Sequence, residues 1–370
     1  MAVFPTTTCV DASKLAAIFS STTNSYKFLL FRAILDELKI SESPDLDFEK
    51  LAIRGLAKAW YTCQIVRLSF GSQDRIQKWI LTLGSDLPDL HSQSDNIESK
   101  LIEKLTILNQ ANNHSIRNFL KDFARYVPYR LLEPWAREGI QGCLDQFKNQ
   151  TIATLSAIPD YQFLYAISKN QDKKLRLTLH PEWMKYLTNH IGVVEGFWRS
   201  EFLDFLQRKN PNVLSLVSKI EPPLVRNLSG AKKIIDTYLQ KKNMEFSCFY
   251  SGAENTDLSL DHFFPWSFMG HDKIWNIAMA AGRVNSSKND NIPDRQKYLV
   301  KFADFHSDLL NTLREDKKLT EDYFTDLKIR EDDIGNLERI RNIYSETYQP
   351  LEILARNQGF STGWISASTT

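Results

Sequence analysis

Apolar residues recur at helical spacing along most of this chain, and strict alternation replaces that spacing in two short stretches. Residues 1–23 read as a lead-in segment. Thr22-Thr23-Asn24-Ser25 then offers N-cap side chains to a helix over Tyr26–Leu38, with Tyr26, Leu29, Leu30, Ala33, Ile34 and Leu38 on one face. A second helix is predicted over Asp47–Leu68, burying Leu51, Ile53, Leu56, Trp60 and Ile65, and a third over Asp74–Leu83 after a break at Gly71. Polar residues from Asp86 to Asn96 predict a loop, followed by helices over Ile97–Ala111 and Ser115–Arg125. Pro128 and Pro134 make Arg125–Trp135 a bent connection, because proline removes a helical donor and clashes with the preceding turn.

From Tyr161 the period drops to two. Phe163, Tyr165 and Ile167 alternate, Asn170-Gln171-Asp172 supplies a turn, and Leu175, Leu177 and Leu179 alternate again, which predicts a β-hairpin. Helices follow over 181–189, 193–209, 212–217 and 231–241, with Pro222-Pro223 closing the region before the last of them. A second alternating run ends at Leu260-Asp261-His262, and Pro265 bends the chain away. Beyond it, Pro293-Asp294 opens a helix through Leu310, and charged helices follow over 320–327 and 332–346. Pro350 ends them, and a loose tail runs from Gly359, with Phe360 and Trp364 as candidates to dock it.

With 370 residues and 42% hydrophobic content the chain can bury a sizeable core and is expected to hold two domains. The formal net charge of +1 announces no global affinity for nucleic acid, but basic residues cluster locally at Lys273, Arg283, Lys288, Arg295, Lys297 and Lys301. Such a cluster either holds phosphates or forms a solvated helix surface. Four scattered cysteines, Cys9, Cys63, Cys143 and Cys248, argue for reduced thiols and a cytoplasmic location, and the N-terminus lacks the pattern of a signal peptide. No apolar stretch reaches the length of a membrane helix.

The chemistry-bearing residues gather between Phe246 and Pro293. Asp261-His262, Asn276, Asn285 and Lys288 follow in order, with Pro265 and Trp275 between them. A histidine titrates near working pH and suits a general base. One carboxylate and one amide oxygen suit a hard cation that keeps several waters. Neighbours in a regular strand face opposite ways, so Asp261 and His262 share one site only where the strand ends or bends. Asn276 is a candidate to orient the His262 ring, and Lys288, three residues after Asn285, shares its helix face and is a candidate phosphate contact. An isolated Asp-His pair is equally compatible with a hydrogen-bonded core histidine, and the asparagines with turn residues.

This ordered set resembles the HNH endonuclease signature, and its first and last parts resemble the HNH domain of RNA-guided CRISPR effector nucleases. The resemblance covers Phe246 to Pro293. It implies a ββα-metal unit and divalent-metal-dependent cleavage of DNA, with RNA not excluded. Asp261 and Asn285 would hold Mg²⁺ or Mn²⁺, His262 would be the base, and Asn276 and Lys288 would assist. Cys248 stands without a Cys-x-x-Cys partner, so no structural zinc is expected. Stand-alone proteins of this kind resemble bacterial restriction or antiphage components, alone, as homodimers or with a protein partner. The fold expected is mostly α with a β-hairpin, α+β overall, carrying the ββα unit. The domains expected are a helical recognition or docking region over 1–240, a nuclease unit over 241–300 and a helical extension over 301–370. A silent or partner-gated HNH-fold subunit is the competing reading.

Overall fold

Helical periodicity dominates the computed structural model, which describes residues 4–84, 87, 97–222, 228–254 and 257–367. The loop expected over 86–96 lies outside the described residues apart from Leu87. The chain divides into two compact units, Met1–Pro211 and Asn212–Thr370.

In the first unit, helices Tyr26–Leu38 and Phe48–Trp60 pack against each other. The second begins where it does because the Asp47 carboxylate accepts from the Glu49 and Lys50 amides at 2.9 and 3.3 Å, a side-chain cap. It continues as a π-helical turn over Tyr61–Ile65. Strands β1 (Asp45–Asp47), β2 (Tyr165–Lys169) and β3 (Leu175–Leu179) form an antiparallel sheet in the order β1-β3-β2, with Leu46, Leu177 and Ile167 side by side and buried. The hairpin β2–β3 is the one expected from the alternation. The edge strand β1 was not, since three residues are too few to show a period. Trp60, Tyr61 and Phe70 are core residues, and Trp198 donates through its indole to the Phe28 carbonyl at 2.9 Å.

Two prolines expected to break helices do not. One helix runs His114–Arg130 through Pro128, and another Leu337–Asn357 through Pro350. A mid-helix proline costs about 3 kcal/mol, but buried residues on the helix outweigh it. Phe123, Val127 and Pro128 itself are buried in the first, and Tyr344, Tyr348 and Ala355 flank the second proline. The Pro128 carbonyl also accepts from the Tyr165 hydroxyl at 2.7 Å. A helix over Asp145–Ser156 was unforeseen, and the helix expected over 212–217 is a short 3₁₀ turn over Leu216–Lys219.

In the second unit, β4 (Leu258–His262) pairs antiparallel with β5 (Ile277–Ala281), and a helix over Gly282–Lys288 follows at once. This is the expected ββα arrangement. It shares one hydrophobic core with helices over Ser229–Lys242, Arg295–Thr312, Lys317–Asp326 and Leu337–Asn357. Phe263 lies 4.5 Å from Phe302, and the Tyr238 hydroxyl meets Asp308 at 2.7 Å. Contacts divide the chain at 211/212, where a boundary near residue 240 was expected, and helices within 301–370 share the core of the ββα unit.

Candidate active site

The β4–β5 ladder pairs Asp261 with Ala278 and His262 with Ile277, then stops. Asp261 and His262 thus occupy the last two positions of a regular strand. Both are buried, 4% and 6% exposed, whereas Leu258 and Leu260 of the same strand are only half-buried. The usual strand pattern is inverted here, with the ionisable residues innermost.

Residues 259 and 261 share one face of β4 because side chains alternate. The site helix lies over that face. Asn285 donates its amide to the Ser259 hydroxyl at 2.7 Å and to the Leu260 carbonyl at 3.3 Å. One turn further on, the Lys288 ammonium reaches both Asp261 oxygens at 3.1 Å and donates to the His262 carbonyl at 2.7 Å. Lys288 is fully buried. The Tyr250 hydroxyl donates to Asp261 Oδ2 at 2.5 Å. Burial, and then the Asp261 charge, push the Tyr250 pKa well above the usual phenol range, so this tyrosine stays a neutral donor.

On the other side of the strand end, His262 Nε2 lies 2.8 Å from Asp272 Oδ1. Asn276 has a different occupation from the expected one. Its side-chain oxygen accepts from the Phe264 amide and its nitrogen donates to the Phe264 carbonyl, both at 2.9 Å. It pins the turn after β4 and makes no hydrogen bond of this kind to the His262 ring. Lys288 likewise sits against Asp261 inside the unit, with no exposed ammonium to meet a phosphate. Tyr250 and Asp272 are site residues the sequence reading passed over. Both flank the signature at positions where only spatial proximity reveals them.

The basic cluster is partly tied up from within. Lys273 pairs with Asp322 at 2.5 Å, Arg295 with Glu352 at 3.3 Å, and Lys301 donates to the Phe249 carbonyl at 2.5 Å. Arg283 and Lys297 are exposed. A core histidine does occur in this unit, at His306, whose Nδ1 meets the Tyr323 hydroxyl at 2.6 Å. Burial drives its pKa down to about 3, so it remains neutral.

An ionised carboxylate offers about four acceptor positions. Tyr250 and Lys288 use three at Asp261, which leaves room for one bond to a cation. Asn285 directs its nitrogen inward, and its Oδ1 would be the atom offered to a cation. One carboxylate oxygen and one amide oxygen fit a hard divalent ion that keeps its remaining coordination as water or phosphate. Among the described residues, no group of three or more His, Cys, Asp or Glu side chains is arranged to hold a metal.

The family model described as HNH endonuclease matches residues 248–294, which spans Cys248, the β4–β5 hairpin and the site helix. This stretch is similar to HNH endonuclease domains, which suggests nuclease activity in general. No curated protein and no solved structure matches the chain. Among the described residues no helix is long and apolar enough to cross a membrane.

Proposed function

We propose that the protein is a divalent-metal-dependent endonuclease that cuts DNA, with His262 as general base and Asp261 and Asn285 as metal ligands. The observation that carries the reading is the docking of Asn285 on the face of β4 that bears Asp261, with His262 at the next and final strand position. A pure binding fold has no need to bury an Asp-His pair at a strand end beneath a helix that offers an amide oxygen.

His262 removes a proton from water, and the resulting nucleophile attacks phosphorus. The bond from phosphorus to the 3′ oxygen breaks, and that oxygen leaves and takes a proton from solvent water, giving a 3′-hydroxyl and a 5′-phosphate. When bound, Mg²⁺ or Mn²⁺ would neutralise charge developing on the phosphate and the leaving oxygen. Asp261 is held in place for that ion by Tyr250 and Lys288. Asn276 keeps the turn after β4 rigid, so that His262 stays at the strand end. Arg283, exposed on the site helix, is a cation available to the nucleic-acid backbone. One such site cuts one strand. By the family resemblance the setting is bacterial restriction or antiphage defence.

Supercoiled plasmid incubated with the full chain and Mg²⁺ or Mn²⁺ tests this. We expect nicking that EDTA abolishes and that His262→Ala lowers by about 10²–10⁴-fold, the usual contribution of a general base. Nicking that persists in His262→Ala, or its absence with every divalent ion in the wild type, overturns the assignment.

A further inference from the structure

We propose that Asp272 is the residue that orients His262, fixing the ring so that Nδ1 is its basic nitrogen; the inference rests on the base role assigned to His262 above. The carboxylate lies 2.8 Å from Nε2. An ionised carboxylate only accepts, so the shared proton belongs to Nε2 and the lone pair to Nδ1. The contact also places a negative charge beside the ring when Nδ1 takes a proton. Asn276, the residue expected to do this work, is occupied on Phe264 at both ends of its amide.

The loop that carries Asp272 is held by parts of the chain beyond the matched domain. Lys273 pairs with Asp322 at 2.5 Å and reaches Asp326 at 3.6 Å. The Trp275 indole donates to Asp326 at 2.8 Å. The hydroxyls of Tyr344 and Tyr348 donate to the Trp275 carbonyl at 3.2 and 3.0 Å. Helices Lys317–Asp326 and Leu337–Asn357 therefore grip Lys273 and Trp275, which follow Asp272 in this segment, and their packing becomes part of the geometry of the base. An HNH domain cut out at residue 294 would lose this support.

Two variants and two readouts test the proposal on the full chain. Asp272→Ala is expected to lower kcat by about 10–100-fold, the usual range for a partner that orients a site histidine, with KM and thermal midpoint little changed. Asp272→Asn retains an oxygen that accepts from Nε2–H and is expected to recover most of the loss. Independently of any cleavage, ¹⁵N NMR of the imidazoles at alkaline pH, with the His262 signals assigned against His262→Gln, reads the tautomer. The wild type and Asp272→Asn should show a single Nε2–H form, and Asp272→Ala a mixture. Cleavage by Asp272→Ala at the wild-type rate, or an unchanged tautomer in that variant, overturns the role of Asp272. A wild type that binds plasmid without cutting it removes the nuclease reading, while the tautomer measurement still decides whether Asp272 sets the ring.

Discussion

Two antiparallel hairpins of equal strand length, β2–β3 and β4–β5, put their side chains to opposite uses. In β2–β3 the apolar residues Tyr165, Ile167, Leu177 and Leu179 are buried, and Ser168 and Lys169 are exposed. A tight turn joins the strands, and the Asn170 side chain accepts from the Lys174 amide at 2.8 Å. In β4–β5 the small apolar residues of β5 are all buried, and the innermost residues of β4 are Asp261 and His262. The long excursion between those strands delivers Asp272 and Asn276 back to the strand end. Burying an ionisable group costs free energy unless it is paired. The first hairpin follows that rule by exclusion, and the second meets it with Tyr250, Lys288 and Asp272.

The sharpest way to break the comparison is to remove a buried partner. Lys288→Met leaves the Asp261 charge inside the unit with only Tyr250 to satisfy it. Chemical unfolding in EDTA should show a loss of about 3 kcal/mol, at the low end for a broken buried pair. A loss below about 1 kcal/mol would mean that Asp261 is solvated and that the inversion of β4 is only apparent.

A second buried ammonium provides the contrast within the same unit. Lys219 is fully buried and donates to the Phe268 carbonyl, and burial pushes its pKa down from the ordinary lysine range to about 7. Between pH 7 and 10.5 the unfolded chain holds a proton that the folded Lys219 lacks, so stability rises with pH across that window. The benefit disappears as pH falls through about 7. Lys219→Met should remove a slope of up to about 1.4 kcal/mol per pH unit and raise the thermal midpoint at neutral pH. Identical pH dependence in wild type and variant would place the ammonium in water. The smallest effect is expected on the first hairpin, where Lys174→Ala removes a half-exposed pair with Glu49 at 2.8 Å. That change should cost under about 1 kcal/mol by the same unfolding measurement.

Much of this was legible in the residues themselves. Helices with a continuous apolar stripe, such as Tyr26–Leu38 and Pro181–Asn189, were readable because period alone defines them. The hairpin β2–β3 was readable from its alternation, and the HNH-like stretch from the order of Asp261, His262, Asn276, Asn285 and Lys288. What escaped depends on contacts between distant residues. Pro128 and Pro350 obey packing before local propensity, β1 exists because β3 offers it an edge, and the unit boundary follows a core shared by Phe263 and Phe302. The partners of the site residues were equally hidden. Nothing local says that Asn276 holds Phe264, that Lys288 faces inward, or that Tyr250 and Asp272 complete the set.

The position of a bound ion tests the centre of the account most directly. Crystals of the full chain soaked in Mn²⁺ and measured at the manganese absorption edge should show an anomalous peak in direct contact with an Asp261 oxygen and Asn285 Oδ1, with His262 close by. A peak held by other side chains, or Mn²⁺ bound by neither of these two, would contradict it.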